Sequence, residues 1–281
     1  MTSILTNNGA MVALQTLQSI NMNLTDAQNQ ISTGKTVGSA KDNSAVWAIS
    51  KVMEADVSSL NAVSDSLALG EGTVDVALAG AEEIADILND IREKVVTATG
   101  ENVDHSKIAD EITQLTSQVT QIINASQFNG TNLLKDATVD GTNSELTVLS
   151  SVDRNAGGSG VTASNITVAA QDFASNLDLS ADIDVSDASA AQTSLAAIEA
   201  HIQTVVDSAA ELGAAASRIE DQQQFVTKLS NSMKAGIGAL VDTDMEEASA
   251  RLKALQTQQQ LGVQALSIAN SAPQALQQLF R

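Results

Sequence analysis

The stretch ISTGKTVGSAKDNS, residues 31–44, holds Gly34-Lys35-Thr36 among small polar residues. A backbone that can approach a ligand closely, a cation and a hydroxyl are the parts of a phosphate-binding loop. That chemistry also needs a glycine at position 29, where the chain has Asn29, and a buried strand leading in, where the chain has helical periodicity. No later apolar run ends in the Asp that would hold magnesium. The stretch therefore reads as a hinge: Gly34 and Gly38 interrupt one helix, and Ser39, Asp42 and Ser44 offer caps for the next. The two histidines, His105 and His201, stand in no metal-binding or triad pattern and are expected on helix surfaces. Glu82-Glu83 and Glu246-Glu247 are sequence neighbours on helices, so each pair diverges into solvent instead of sharing a site. Trp47 reads as a packing anchor. Cysteine is absent, which excludes disulfides, thiolate metal sites and cysteine nucleophiles. We expect no enzyme activity, catalytic residue, metal or cofactor; nucleotide hydrolysis is the one enzymatic alternative, and it rests on Gly-Lys-Thr alone.

The elements around the hinge are more informative. The chain has 281 residues, 43% of them hydrophobic but only 2% aromatic, so its apolar surface is mostly Ala, Val, Leu and Ile. Such surfaces suit helix-on-helix packing. The net charge of −20 is the wrong sign for nucleic acid or anionic lipid, and neither partner is expected. No apolar run approaches the ~20 residues of a membrane span. No Lys or Arg precedes Lys35, so the basic region of a secretory signal peptide is missing and the chain is expected to lack a standard export signal. Residues 1–34 carry one charged side chain, Asp26, and residues 254–281 carry one, Arg281. Two neutral, amide-rich ends can pack against copies of themselves without repulsion, whereas the acidic middle prefers solvent.

Heptad spacing runs from Val46 and Ile49 through Leu60, Val63, Leu67, Val74, Ala77, Ala81, Ile84, Leu88 and Ile91 to Val95, missing only at Asp56 and Gly70. A helix over about 45–97 would be ~80 Å long. The same register runs from Leu195 through Ile198, Ile202, Val205, Leu212, Ile219 and Val226 to Leu240, and the two segments are natural coiled-coil partners, although a generic helical bundle satisfies the pattern too. A third stripe, Ile108, Ile112, Leu115, Val119 and Ile122, should fold back antiparallel. Ala10, Leu14, Leu17, Leu24 and Ile31 outline a first helix, and Ala248, Leu252, Leu255, Leu266 and Ala269 a last one, opened by a capping box at Thr243-x-x-Glu246 and ended or interrupted by Pro273. Between the helical halves, SELTVLSSV and SNITVAA read as a β-hairpin or two, with an exposed acidic face at Asp172, Asp178, Asp182, Asp184 and Asp187. This part is expected to be the outermost and least constrained. The fold class is mainly α: a long antiparallel coiled-coil or bundle rod with paired terminal helices and a small hairpin-rich insertion.

At this point the residues resemble a family. ISTGKTVGSAKDNSAVWAIS is similar to the helix-hinge-helix signature of bacterial flagellins, SQFNGTNLL at 126–134 to the turn that closes their N-terminal helical region, and AASRIEDQQQFVTKLSNSM at 215–233 with SAPQALQQLFR at 271–281 to their C-terminal signatures. The resemblance covers about 1–140 and 190–281, in family order, and leaves the middle unmatched.

The resemblance implies a structural subunit that assembles head-to-tail into the flagellar filament for motility, exported unfolded through the flagellar type III apparatus and located outside the cell. Residues 1–40 with 242–281 would form the inner tube, with Leu14, Leu17, Leu24, Ile31, Leu252, Leu255, Leu266 and Ile268 packing within and between subunits; 41–140 with 188–241 would form the rod, and 141–187 a variable β-rich surface insertion. Its partners would be other copies or other flagellins, an export chaperone, the filament cap and hook–filament junction proteins; a junction protein itself is the runner-up identity. Many flagellins carry Leu-Gln-Arg-Val-Arg-Glu-Leu where this chain has Leu88-Asn89-Asp90-Ile91-Arg92-Glu93-Lys94, the segment read by the animal innate-immune flagellin receptor. Arg92 and Glu93 are kept. Asp90 reverses a charge and Lys94 replaces an apolar contact, so weak or no receptor activation is expected.

Overall fold

Ser44–Ala98 forms one helix, α2, because nothing in its 55 residues breaks it: there is no proline, and its apolar positions recur at helical spacing. It follows α1 (Asn8–Thr33) and precedes α3 (His105–Ala125), strands β1 (Glu145–Arg154) and β2 (Val161–Ala169), the single-turn helices α4 (Phe173–Asn176) and α5 (Leu179–Asp182), and the long α6 (Ala188–Val241) and α7 (Met245–Leu279). This computed structural model describes residues 7–135, 145–154 and 160–279. The fold is mainly α with one small antiparallel sheet, and its contacts divide it into two units: Met1–Val57 with Ser232–Arg281, and Ser58–Asn231.

In the second unit the expected stripe of α2 is the core. Leu60, Val63, Leu67, Val74, Ala77, Ala81, Ile84, Leu88, Ile91 and Val95 are all buried, and the larger side chains among them each contribute about 1.5–3 kcal/mol by leaving water. α6 answers with Ile198, Val205, Leu212, Ile219 and Val226, and α3 with Ile112, Val119 and Ile123. α3 runs antiparallel to α2, since Lys94 pairs with Glu111 at one end and Gly80 meets Ser126 at the other. α3 is capped by Asp104, whose side chain accepts from the Lys107 amide at 3.3 Å. Beyond it, Asn129 (φ 48°) and Gly130 (φ 86°) turn the chain so that Thr131, Asn132, Leu133 and Leu134 are buried; Asn132 Nδ2 donates to Ile123 O at 2.6 Å.

Two glycines on α2 let these parts approach. A Cβ on Gly80 would collide with Ser126 Oγ and stand 2.9 Å from Leu134 Cδ1, and one on Gly70 would stand 2.5 Å from Val148 Cγ2. Gly70, a break in the heptad pattern by sequence, is thus the seat of the hairpin. We expect Gly80→Ala to lower the stability of this unit by about 2 kcal/mol, the usual scale of overpacking; a denaturant melt followed by circular dichroism checks it.

The expected hairpin is present, and the middle of the chain is held more firmly than its sequence suggests. The described residues hold one hairpin, paired from Glu145↔Ala169 to Arg154↔Val161 with a bulge at Ser150. The bulge ties it down: Leu149 N donates to Ser66 Oγ at 3.2 Å, Gln222 Nε2 to Ser150 O at 2.8 Å, and Ser150 Oγ to Ser164 O at 2.9 Å. Val148, Ile166 and Val168 are buried, so the hairpin is not loosely held. The acidic stretch that follows is not simply an exposed face. Asp172, Asp178 and Asp187 accept from backbone amides of Ser175, Ala181 and Ala190 and so start α4, α5 and α6, while Phe173, Leu177, Leu179 and Val185 are buried. His201, expected on the surface, is only 8% exposed and its Nε2 lies 3.1 Å from Asp182 Oδ2; Ser194 likewise exchanges hydrogen bonds with the Asp184 backbone. The physical reason is that α6 is covered on two sides. The 177–187 segment lies over Ser194 and His201, so the buried stripe is displaced toward them and Leu195 and Ile202 are only half-buried.

In the first unit, Ile49 is 53% exposed although it falls on the heptad stripe. Asn43, and neither Ser39 nor Ser44, caps α2 by accepting from the Val46 amide at 3.2 Å. At the start of α7 the cap is Asp244, whose Oδ1 accepts from Glu246 and Glu247; Thr243 is engaged elsewhere. Pro273 does not end α7, which continues to Leu279.

Candidate assembly interface

α1 and α7 pair antiparallel. Asn7 Nδ2 donates to Ala269 O at 2.8 Å, and Gln259 Nε2 donates to Asn21 Oδ1 at 2.7 Å. Between these ties Leu17 Cδ1 stands 3.0 Å from where a Cβ on Gly262 would sit, so the glycine leaves room for Leu17. The less exposed stripe on α1 is Ala10, Ala13, Leu17, Ile20, Leu24, Ala27 and Ile31, and on α7 it is Ala248, Leu252, Leu255, Gln259, Gly262, Leu266 and Ala269. Both recur at alternating three- and four-residue steps, the seam of a two-helix contact.

The pair leaves much of its apolar surface uncovered. Among the residues whose burial is described, only Ala27 on α1 and Ala248 and Leu255 on α7 are buried, whereas Met11, Val12, Met22 (63% exposed), Leu261, Val263 and Ile268 (70%) face outward. Of the eight residues singled out by sequence, Leu17, Leu24, Ile31, Leu252, Leu255 and Leu266 lie on the inward stripes; Leu14, 48% exposed, and Ile268 lie outside them. The outward side chains are apolar, and the segments that carry them are almost uncharged.

The loop after α1 ties to the connector before α7. Gly34 is left-handed (φ 69°) and its amide closes α1 on Gln30 O. Its carbonyl accepts from Thr243 N at 2.9 Å, Thr36 N donates to Val241 O at 2.7 Å, and Thr36 Oγ1 donates to Asp242 O at 3.0 Å. Gly38 has no positive φ; its amide, with that of Ser39, donates to Asp42 Oδ2. The Ser39 amide and hydroxyl, then the Gly38 amide, hold the Asp42 carboxyl below the usual carboxylate range. Lys35 Nζ lies 3.4 Å from Glu54, a carboxyl held below its usual range first by Lys51 and then by Lys35. The Gly-Lys-Thr atoms are thus occupied in a helix-to-helix joint, and the segment before them is a helix.

The segment from Leu88 to Lys94 lies on α2 in the second unit. Leu88 is buried. Asp90, Arg92 and Glu93 are exposed, with Arg92 3.4 Å from Glu199, and Lys94 is 2.7 Å from Glu111, which holds its ammonium above the usual range. Sequence reasoning passed over Asn7, Asn21, Gln259 and Gly262. The small residue at the middle of an otherwise regular stripe was the available signal for Gly262; the amides carry none without knowing which helix they face.

Residues 4–138 match the family described as the bacterial flagellin N-terminal helical region, and residues 195–280 match the bacterial flagellin C-terminal helical region. The unmatched stretch, 139–194, contains the hairpin, α4 and α5. The chain is 40% identical over 282 residues to flagellin FljM of Caulobacter vibrioides, covering 99% of this chain and 98% of the relative. It is 41% identical over 288 residues to a flagellin of Brucella melitensis, covering 100% of both. It is 37% identical over 323 residues to flagellin C of Rhizobium meliloti, again covering 100% of both.

Proposed function

We propose, for a chain that belongs to the bacterial flagellin family and so is a subunit of the flagellar filament, that the paired α1 and α7 are the surface through which subunits join. The observation that carries this is the outward apolar face of the pair on a segment with one charge between residues 1 and 34 and none from 254 to 280. Hydrophobic burial between neighbours supplies the attraction, and the missing charges remove the repulsion that a chain of net charge −20 would otherwise meet at close quarters.

In this reading residues 1–40 and 242–281 build the inner tube, 41–140 with 188–241 the surrounding layer, and 141–187 the outer surface. Contacts are heterologous and do not close, so an open helix grows. The family is structural and its filament extracellular. Export of the unfolded chain by the flagellar type III apparatus, escort by a chaperone, and contact with cap and junction proteins extend the reading. Electron microscopy of the purified chain after salt-induced polymerisation tests it: helical filaments are expected, and only amorphous or soluble material across a range of salt and protein concentrations would refute it.

The exposed Asp90 would present its carboxylate to a receptor surface fitted to a cation, a mismatch of about 2 kcal/mol or more. A reporter-cell titration should show a response at least about tenfold weaker than that of a flagellin with the full motif, and Asp90→Arg with Lys94→Leu should recover part of it.

A further inference from the structure

We infer that Asn7 sets the register of the α1–α7 pair by answering the one backbone acceptor that Pro273 deprives of its donor. In an α-helix the carbonyl of residue i accepts from the amide of residue i+4, and proline has no N–H. Pro273 is the only proline in the chain, and it lies within α7. Ala269 O therefore lacks its helical donor. Asn7 Nδ2 donates to that oxygen at 2.8 Å, while Asn7 Oδ1 accepts from the Ala10 amide at 3.1 Å and caps α1. Each end of one side-chain amide satisfies one orphan group, on two helices 262 residues apart in sequence.

The consequence concerns register. A seam of Ala, Leu, Ile and Gly repeating every seven residues buries similar surface after a slip of one heptad, so apolar packing alone discriminates weakly. A slip of that size moves Asn7 about 10 Å along α7. A slip that brings it opposite Gly262 meets carbonyls that already have helical donors, and Ala269 O is left unpaired beside an apolar seam. The Asn21–Gln259 bond favours the same register, but Asn21 is exposed and water can replace its part of the bond. Asn7 is thus a positioning residue for assembly, and this inference rests on the proposed role of the pair in joining subunits.

The test is a double-mutant cycle on the full-length chain, reading the critical concentration for growth on wild-type filament seeds by sedimentation. Asn7→Ser keeps an uncharged capping oxygen of equal quality but is too short to donate to Ala269 O. It should raise the critical concentration about tenfold, the scale of one well-formed bond lost with its acceptor left unsatisfied. Pro273→Ala returns an amide to Ala269 O, and on that background Asn7→Ser should cost no more than about twofold. An equal penalty on both backgrounds, or none on the wild-type background, overturns the inference while leaving the assembly reading intact if the wild type grows. A wild-type chain that does not grow overturns both.

Discussion

Leu17→Asp is expected to abolish filament growth while leaving the second unit folded. Leu17 sits over Gly262 in the seam of α1 and α7, and the sequence places no Lys or Arg within residues 1–34 or 254–280 to pair with a carboxylate there. In an isolated chain the position is only half-buried, so the acid keeps most of its water. Once neighbouring subunits cover the pair, it must be desolvated without a partner, at several kcal/mol. A loss of about 4 kcal/mol per contact raises the critical concentration about a thousandfold, beyond any usable concentration. Leu266→Asp should behave alike. Leu14→Asp and Ile268→Asp make the sharper comparison, because those side chains already face outward and have little to lose within one chain. If they too block pelleting in a sedimentation assay, the outward face is the intersubunit surface; if Leu17→Asp pellets normally, the neutral-core reading is wrong. Far-UV circular dichroism should show the helices retained in every variant, since none of the substituted positions belongs to the buried stripes of residues 58–231.

Gly34→Pro is the second large effect. Gly34 has φ 69°, its amide closes α1 on Gln30 O, and its carbonyl receives Thr243 N. Proline holds φ near −65° and has no amide, so the substitution removes the cap and turns the chain away from the connector; about 3 kcal/mol is the expected scale. Gly34→Ala keeps the amide and should cost only about 1 kcal/mol, the strain of a left-handed alanine. Deleting residues 36–40 should act like the proline, because it removes the Thr36 bonds to Val241 and Asp242. We expect altered filament shape by electron microscopy and impaired swimming on soft agar for Gly34→Pro and the deletion, with Gly34→Ala close to wild type. Normal filaments and swimming from Gly34→Pro would show that the joint has no part in filament geometry.

How far these sites could be read beforehand follows from the range of the forces involved. The stripe from Leu60 to Val95 is buried as its spacing requires, because helical periodicity is a local property and α2 has a partner along that length. Ile49 keeps the same spacing and is exposed, because periodicity says which face can be buried and not whether anything covers it. Gly34 is legible as a break, since glycine after a helical run is a local signal; that Gly38 does no comparable work is not, because its backbone is ordinary and its loop is closed by Asp42.

The sequence by itself determined the mainly helical class, the extents of the long helices to within a few residues, the hairpin, the neutral ends and the absence of a phosphate loop, each a matter of spacing or composition within one segment. Tertiary structure alone decided the rest. Gly70 became a seat for Val148, His201 was buried against Asp182, the acidic stretch became caps, and α7 ran on through Pro273 while Asn7 answered the freed carbonyl. In each case the deciding partner lies far away in the chain, and which donor or side chain arrives at a given helix face is set by packing, which no local pattern encodes.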